Sequence, residues 1–307
     1  MRAAFVDAML EIAARDDRVV LLTADLGFAV LEPFASRFPL RFFNVGVAEQ
    51  NMLGLATGLA GSGFIPYAYS IGTFASMRPY EFIRNGAVAH ALPVRIVGVG
   101  AGFDYGTAGI THHSLEDVAL MRVQPGLAVI APADHDQARS ALLATADLPG
   151  PVYYRLSKEV RPAIPGLDGR FRIDRVETVR EGADVLFVAM GTVAAEAAAA
   201  CEALSTLRVD AALAVVAAIN PPPADDLAVL LARFRNVISV EAHYKNGGLG
   251  SLVAEVIADR GIGCRLMRRG AGPEAHDGIS GSPGFLITRH GLDSASLVTA
   301  ALEMSGG

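Results

Sequence analysis

Short apolar runs rich in β-branched residues alternate with alanine-rich stretches from one end of the chain to the other. In the first half, the runs that predict strands are VVLLTAD, FFNVG, FIPYAYS, PVRIVGVG, LAVIAPA and PVYYRL. Residues 47–61, 74–91 and 134–146 have the composition of helices, and Asp134 is suited to cap the third. The second half repeats the alternation with ADVLFVAMGT, VAAEAAAACEAL, NVISVEAH and GGLGSLVAEVIADRG. Such alternation is typical of parallel sheets covered by helices, so the predicted class is α/β.

The chain is predicted to form two domains. Its 307 residues are about twice the usual length of a single domain. The segment KEVRPAIPGLDGRFRID is rich in proline and charge and has no sustained periodicity, which is typical of a linker. We therefore predict two three-layer α/β/α domains at residues 1–160 and 178–307, joined by a linker at 161–177.

Composition and charge narrow the possible functions. With 52% hydrophobic and 19% charged residues, the chain has enough apolar side chains to fold. Lysine and arginine number 26 against 32 aspartates and glutamates, and the resulting net charge of −6 argues against binding nucleic acid. Cys201 and Cys264 lie far apart and predict neither a disulfide scaffold nor a zinc site. Acidic residues near the start argue against a signal peptide, so a cytoplasmic protein is expected.

Three local patterns resemble a membrane helix, a dinucleotide-binding motif and a metal site, but none of these interpretations is favoured. The uncharged residues 51–77 are long enough to cross a membrane, but their glycines, proline and polar side chains favour a buried helix, turn and strand. The run VRIVGVGAGFD has Phe103 where a dinucleotide-binding motif needs its third glycine. The adjacent His112 and His113 have no further ligand nearby in the sequence, so no metal site is predicted.

Glu49 in NVGVAEQNM is more informative, because it follows a predicted strand and opens an apolar helix. The dipole of a helix stabilises a negative charge at its N-terminus. Taken alone, the position still favours an ordinary helix-opening acid with no chemical role. The order of the motifs around Glu49 changes that balance.

The motifs in question are LTADL, NVGVAEQNM, TFASMRPY, GITHH, GPVYYR and VEAHYKNGGLGS. Their order and spacing resemble the C-terminal half of transketolase, and also deoxyxylulose-phosphate synthase and the beta subunits of 2-oxoacid dehydrogenases. The resemblance covers essentially the whole chain. It implies a pyrimidine-binding domain over residues 1–160, a transketolase C-terminal domain over 178–307, and thiamine diphosphate as the cofactor.

The resemblance also assigns cofactor contacts. In this family the glutamate matching Glu49 hydrogen-bonds N1′ of the aminopyrimidine and favours the imino tautomer that deprotonates thiazolium C2. The residue matching Phe74 stacks on the pyrimidine ring, and Tyr80 matches a second aromatic residue. Met77 replaces an aromatic residue between them and still offers a polarizable apolar contact. Leu26 matches a segment that lines the thiazolium side.

Substrate contacts are implied in the same way. The histidine matching His112 exchanges protons with substrate hydroxyls, Asp25 lies beside the thiazolium, and Arg155 matches an arginine that holds a sugar phosphate. Two departures weaken the expectation of an ordinary sugar-phosphate substrate. Gly100 and Ala108 stand where transketolases have a histidine for phosphate and an aspartate for a sugar hydroxyl, and charge-assisted contacts to phosphate are the strong ones.

One motif is missing. The GDG sequence that holds Mg²⁺ and the diphosphate in this family does not occur in the chain. The resemblance therefore implies a larger, GDG-containing partner subunit that holds most of the metal and diphosphate site, in an α2β2 assembly with the active site between chains.

The predicted function is that of the small subunit of a split transketolase. It would transfer a two-carbon ketol unit from a ketose donor to an aldose acceptor, with Glu49 and His112 as catalytic residues. Three alternatives stay open: a 2-oxoacid dehydrogenase beta subunit, a deoxyxylulose-phosphate-synthase-like enzyme, and a non-catalytic scaffold subunit. The sequence names neither donor nor acceptor, nor whether they are phosphorylated.

Overall fold

A computed structural model describes residues 1–159 and 163–305 of the chain. Its strands are β1 Val19–Thr23, β2 Phe42–Asn44, β3 Ile65–Ile71, β4 Arg95–Val99, β5 Ala128–Ile130, β6 Val152–Leu156, β7 Glu177–Arg180, β8 Val185–Met190, β9 Ala211–Val215, β10 Ala218–Asn220, β11 Asn236–Tyr244 and β12 Arg265–Ala271. Its α-helices are α1 Arg2–Arg15, α2 Glu32–Arg37, α3 Glu49–Gly61, α4 Gly72–Ser76, α5 Tyr80–Phe82, α6 Asp117–Arg122, α7 His135–Ala144, α8 Ala194–Thr206, α9 Ala224–Leu231, α10 Leu249–Arg260, α11 Pro283–Arg289 and α12 Ser294–Ser305. Short 3-10 turns lie at Pro39–Arg41, Gly106–Ala108, Ile110–His112, Gly191–Val193 and Pro273–His276. The predicted α/β class is confirmed.

The first sheet has seven strands in the order β10-β5-β6-β4-β3-β1-β2. Its strands are parallel except for β10, which pairs antiparallel with β5. Strands β2, β1 and β3 are neighbours and run in the same direction. The residues that follow them therefore meet at one edge of the sheet, where parallel sheets commonly place their ligands.

The second sheet has five strands in the order β12-β11-β8-β9-β7, with β7 antiparallel to β9. Strand β10 comes from the second half of the sequence but belongs to the first sheet. Beside it, the Ala131 N–H donates to the Ala217 carbonyl at 2.7 Å. The two halves of the chain are thus joined by backbone pairing, which the alternation of strands and helices alone did not predict.

Packing also links the two halves. One apolar core includes Met121 and Val129 from the first half together with Leu186 and Leu249 from the second. The last residue of the predicted first domain and the first two of the predicted linker, positions 160–162, lie outside the described residues. After these positions, Ile164 fixes the chain to the first domain: its side chain is buried, and its backbone N–H donates to the Asp134 carboxylate at 2.9 Å.

Two of the predicted helices begin as expected. Helix α3 starts at Glu49, and helix α7 is capped by Asp134, whose carboxylate accepts the Gln137 N–H at 2.8 Å. The remaining stretch of helical composition, residues 74–91, is largely helical but does not form one helix. This region instead forms α4, α5 and a π-helical segment Ile83–Val88, and the break at Pro79 is expected because proline has no N–H to donate. Within the described residues, no helix is long and apolar enough to cross a membrane.

Candidate active site

Glu49 is the first residue of α3 and follows β2 at the shared edge of the first sheet. Only 3% of its surface is exposed, and each of its two carboxylate oxygens accepts a hydrogen bond. Oε1 accepts the Ser70 hydroxyl at 3.1 Å, and Oε2 accepts from Arg78 Nη1 at 2.8 Å. Glu49 also lines an open cavity of about 420 Å³. A buried carboxylate held in one orientation at a cavity wall is therefore built into the end of the sheet.

Phe74 lies on α4, directly after β3, and its ring connects Glu49 to the next part of the site. The Arg78 guanidinium carbon lies 4.0 Å from the centre of the Phe74 ring, so one arginine contacts both the ring and the Glu49 carboxylate. Helix α4 begins with Gly72, and the absence of a side chain there lets the helix pack closely against Ser114. A Cβ on Gly72 would lie 2.7 Å from Ser114 Oγ.

His112 faces Phe74 edge to face, with ring centres 5.1 Å apart. Its Nδ1 is within 2.9 Å of the Thr111 hydroxyl. Among the residues that the structure describes, Nε2 has no hydrogen-bond partner and is available for proton exchange. The structure thus brings Glu49, Phe74 and His112, predicted separately from three motifs, into one row of contacts through Arg78.

The neighbouring His113 has a different environment. It is buried, its ring packs against Phe103 at 5.4 Å, and Nε2 lies 3.4 Å from the Gly106 carbonyl. Burial lowers the pKa of His113 and favours its neutral form. This histidine belongs to the core, whereas His112 faces the site.

Asp25 and Leu26 follow β1 at the same sheet edge. Asp25 has a positive φ of 54°, which is uncommon for a residue other than glycine. It is held there by Asn44, which accepts the Asp25 N–H at 3.1 Å and donates to its carboxylate at 2.8 Å. Asp25 and Leu26 line a second cavity of about 220 Å³ with Thr23. Strain of this kind is characteristic of functional positions.

Met77 and Tyr80 separate into different roles. Met77 follows α4 and is 43% exposed, so its side chain is available to a ligand or a partner. The Tyr80 hydroxyl donates to the Leu120 carbonyl at 3.1 Å and accepts from the Gln124 amide. These bonds anchor Tyr80 to α6 and its C-terminal end.

Arg155 does not face the site, which contradicts the predicted contact with substrate phosphate. It lies within β6, a central strand covered on both faces, and is 3% exposed. Nε bonds to the Asp117 carboxylate at 2.8 Å, and Nη2 donates to the Ser114 and Ala242 carbonyls at 2.8 and 2.9 Å. Burial alone would raise the pKa of Asp117, but the Arg155 charge holds it below its usual value. Arg155 joins the two domains.

Sequence reasoning missed Ser70, Arg78, Tyr105 and Lys158 at this site. Tyr105 lies 6.1 Å from the His112 ring, and Lys158 Nζ lies 4.4 Å from the centre of the Tyr105 ring. Ser70 is the sixth residue of β3, and Arg78 stands inside the motif TFASMRPY. No local pattern distinguishes these two from core or surface residues, because their role depends on the strand order.

The family model for the transketolase pyrimidine-binding domain matches residues 1–162, and the model for the transketolase C-terminal domain matches residues 174–296. The chain belongs to the transketolase family. A putative transketolase C-terminal section from Methanocaldococcus jannaschii is 36% identical, with 99% of this chain and 95% of that protein covered. A 6-deoxy-6-sulfo-D-fructose transketolase subunit from a Clostridium species is also 36% identical, with 99% and 94% covered.

A solved structure gives the same result. It is described as a split gene transketolase, inactive beta4 tetramer, and superposes with a TM-score of 0.87 at 34% identity. The superposition covers 99% of this chain and 97% of that one. The prediction of a transketolase-like transferase chain, corresponding to the C-terminal section of a split enzyme, is confirmed.

Proposed function

We propose that this chain is the pyrimidine-binding subunit of a split thiamine-diphosphate-dependent transketolase. The enzyme would transfer a two-carbon ketol unit from a ketose donor to an aldose acceptor. The observation that carries the proposal is the buried Glu49 carboxylate, which opens onto a cavity and is linked through Arg78 and Phe74 to His112.

The residues present fit an aminopyrimidine. A carboxylate can accept about four hydrogen bonds, and Ser70 and Arg78 use one on each Glu49 oxygen. Accepting capacity therefore remains for a ring N–H, and the Phe74 ring, which contacts Arg78 and His112, is the aromatic side chain placed to pack against the pyrimidine. Met77, Leu26 and Asp25 would complete the walls on this chain. Thiamine diphosphate, when bound, supplies the nucleophilic carbon that takes up the ketol unit.

Each residue then has a defined task. Glu49 would hold the pyrimidine by accepting a hydrogen bond from a ring N–H, and Arg78 fixes the orientation of the carboxylate. His112 takes a proton from the donor's hydroxyl and returns one to the acceptor's carbonyl oxygen through Nε2, because Thr111 occupies Nδ1. The Tyr80 hydroxyl bonds to Leu120 and Gln124, so Tyr80 would support the cofactor side of the site through its ring while its hydroxyl is anchored to α6.

A larger partner subunit would supply what this chain lacks. We propose that its GDG motif holds Mg²⁺ and the diphosphate, and that two copies of each subunit form an α2β2 enzyme with the active site between chains. The solved relative described as an inactive beta4 tetramer supports this view, since that assembly contains beta chains only. In the described residues of this chain, no group of three or more His, Cys, Asp or Glu side chains could hold a metal ion.

The test of the function is substitution of Glu49 in the enzyme reconstituted with the partner that the chain captures from its native lysate. Glu49→Ala and Glu49→Gln should lower kcat by about 100-fold or more, the usual contribution of acid–base catalysis. Glu81→Gln on α5, an exposed glutamate, is the matched control and should retain activity. Near-normal turnover by Glu49→Ala, with an unchanged far-UV circular dichroism spectrum, would refute the assignment.

Calorimetry tests the division of the site between subunits. Thiamine diphosphate with Mg²⁺ should bind tightly to the reconstituted pair and weakly to this chain alone. Tight binding to the lone chain would show that the diphosphate is held here. No binding in either case would favour a non-catalytic scaffold.

A further inference from the structure

Tyr105 lies at the end of the row of contacts that begins at Glu49. Within the part of the chain that the structure describes, the His112 ring has two aromatic neighbours, Phe74 at 5.1 Å on the proposed cofactor side and Tyr105 at 6.1 Å. A substrate oxygen bound at His112 therefore leaves the rest of the sugar chain to extend along Tyr105, since the cofactor side holds the reacting carbon. The side chain at position 105 is placed to meet that part of the substrate.

The Tyr105 ring fills its position because residue 100 is a glycine. A Cβ on Gly100 would lie 2.1 Å from Tyr105 Cε2 and 2.2 Å from Cδ2, far inside any allowed contact. Gly100 also has a φ of +88°, which disfavours other residues there. A side chain at position 100 and the Tyr105 ring in this position are mutually exclusive.

Lys158 holds the ring from another side. Its Nζ lies 4.4 Å from the centre of the Tyr105 ring and 3.7 Å from a Glu159 oxygen. The charge of Lys158 thus contacts both an aromatic face and a carboxylate, and the Tyr105 ring neighbours both Lys158 and His112. Removing the Tyr105 ring would open space beside His112 and would also expose the Lys158 ammonium group.

We propose that Tyr105 is the specificity-determining residue of this site: its ring, seated on Gly100 and backed by Lys158, closes the substrate side beside His112 and selects short sugar chains over longer ones. This inference rests on the proposed function. It concerns the relative rates of substrates, whereas Glu49 and His112 determine whether the reaction occurs.

The test compares acceptors of increasing length in the reconstituted enzyme. 3-Hydroxypyruvate serves as the donor: the bond to its carboxylate breaks and releases CO₂, the ketol carbon bonds to the aldehyde carbon of the acceptor, and the acceptor's carbonyl oxygen takes up one proton. The acceptors are glycolaldehyde, glyceraldehyde, erythrose and ribose. Tyr105→Ala should raise the ratio of kcat/KM for ribose over glycolaldehyde by about tenfold or more, as expected for space worth one or two carbon atoms. Tyr105→Phe keeps the ring and should change that ratio by less than about threefold.

The outcomes separate the two proposals. If the unmodified enzyme uses these acceptors and Tyr105→Ala leaves the ratio unchanged, the role of Tyr105 is refuted while the function stands. If Tyr105→Phe shifts the ratio as much as Tyr105→Ala does, the hydroxyl and not the ring is responsible, and the proposal is wrong. If the unmodified enzyme uses no acceptor, the proposed function falls and this inference with it.

A second measurement tests the seat of the ring on this chain alone. Gly100→Ala should lower Tm in the native background by at least about 3 °C more than in the Tyr105→Ala background, because only the native background contains the clash. Equal losses in both backgrounds would show that the ring does not occupy this position, and would overturn the proposal.

Discussion

Replacing Arg155 by methionine should destabilise the chain strongly and leave substrate binding to the residues around His112. Arg155 is buried, and its guanidinium bonds to Asp117 and to the carbonyls of Ser114 and Ala242. Removing the arginine leaves the buried Asp117 carboxylate, among the described residues, with one hydrogen bond, which the Tyr153 hydroxyl donates at 2.7 Å. Breaking one side of a buried ion pair costs about 3–5 kcal/mol.

That loss should lower Tm by roughly 6–20 °C, because 1 kcal/mol corresponds to about 2–4 °C in domains of this size class. Thermal unfolding followed by circular dichroism measures it. The double variant Arg155→Met/Asp117→Asn should be less destabilised than Arg155→Met alone, because no unpaired charge then remains buried. Arg139→Met is the matched control: it breaks a half-exposed pair with Glu11 and should cost less than about 1 kcal/mol.

A different combination of results would refute this structural role of Arg155. If Arg155→Met kept its Tm within about 2 °C of the native value and raised KM only for phosphorylated substrates, Arg155 would be a phosphate-binding residue. The described contacts of its side chain would then be wrong.

Two further predictions concern the second domain. Burial raises the pKa of Glu241 to about 7, so the folded chain keeps a proton that the unfolded chain loses above 4.5. The stability that comes from this retained proton is complete below pH 4.5 and is lost as the pH rises to 7. Glutamine does not titrate, so the Tm of Glu241→Gln should rise relative to that of the native chain over the same pH range. Parallel Tm profiles of the two proteins would contradict the raised pKa. Gly248→Ala places a Cβ 1.9 Å from Glu241 Oε2 and should cost about 1–3 kcal/mol in urea unfolding. Gly284→Ala on α11, where a Cβ meets nothing within 4 Å, should cost nothing, and equal effects of the two variants would exclude the steric explanation.

The sequence predicts most of the fold because the alternation of apolar strands and helices is local. It also identifies Glu49 as the start of a helix, since a strand, a turn and an apolar run surround it. The environment of Arg155 could not be predicted from the local sequence. An arginine at the end of PVYYRL is compatible with a surface contact, but β6 occupies the centre of a parallel sheet, where both faces are covered. The order of strands, which no local pattern contains, decides that Arg155 is buried and Arg78 faces the cavity.

The second domain helps to position the loop that carries His112. His112 and Tyr105 lie on the loop at residues 102–115, whose two ends pair through Gly102 and Ser114 at 3.1 and 2.9 Å. The second domain also binds this loop and the residues next to it. These bonds are Tyr244 N–H to Leu115 O at 3.0 Å, Gly281 N–H to Gly106 O at 3.3 Å, and Ala119 N–H to His243 Nε2 at 3.3 Å. Because Arg155 bonds to carbonyls on both sides of this contact, the position of His112 depends on the domain interface as well as on its own loop. A transketolase chain whose second domain holds no catalytic residue would therefore still need that domain to hold its histidine in place.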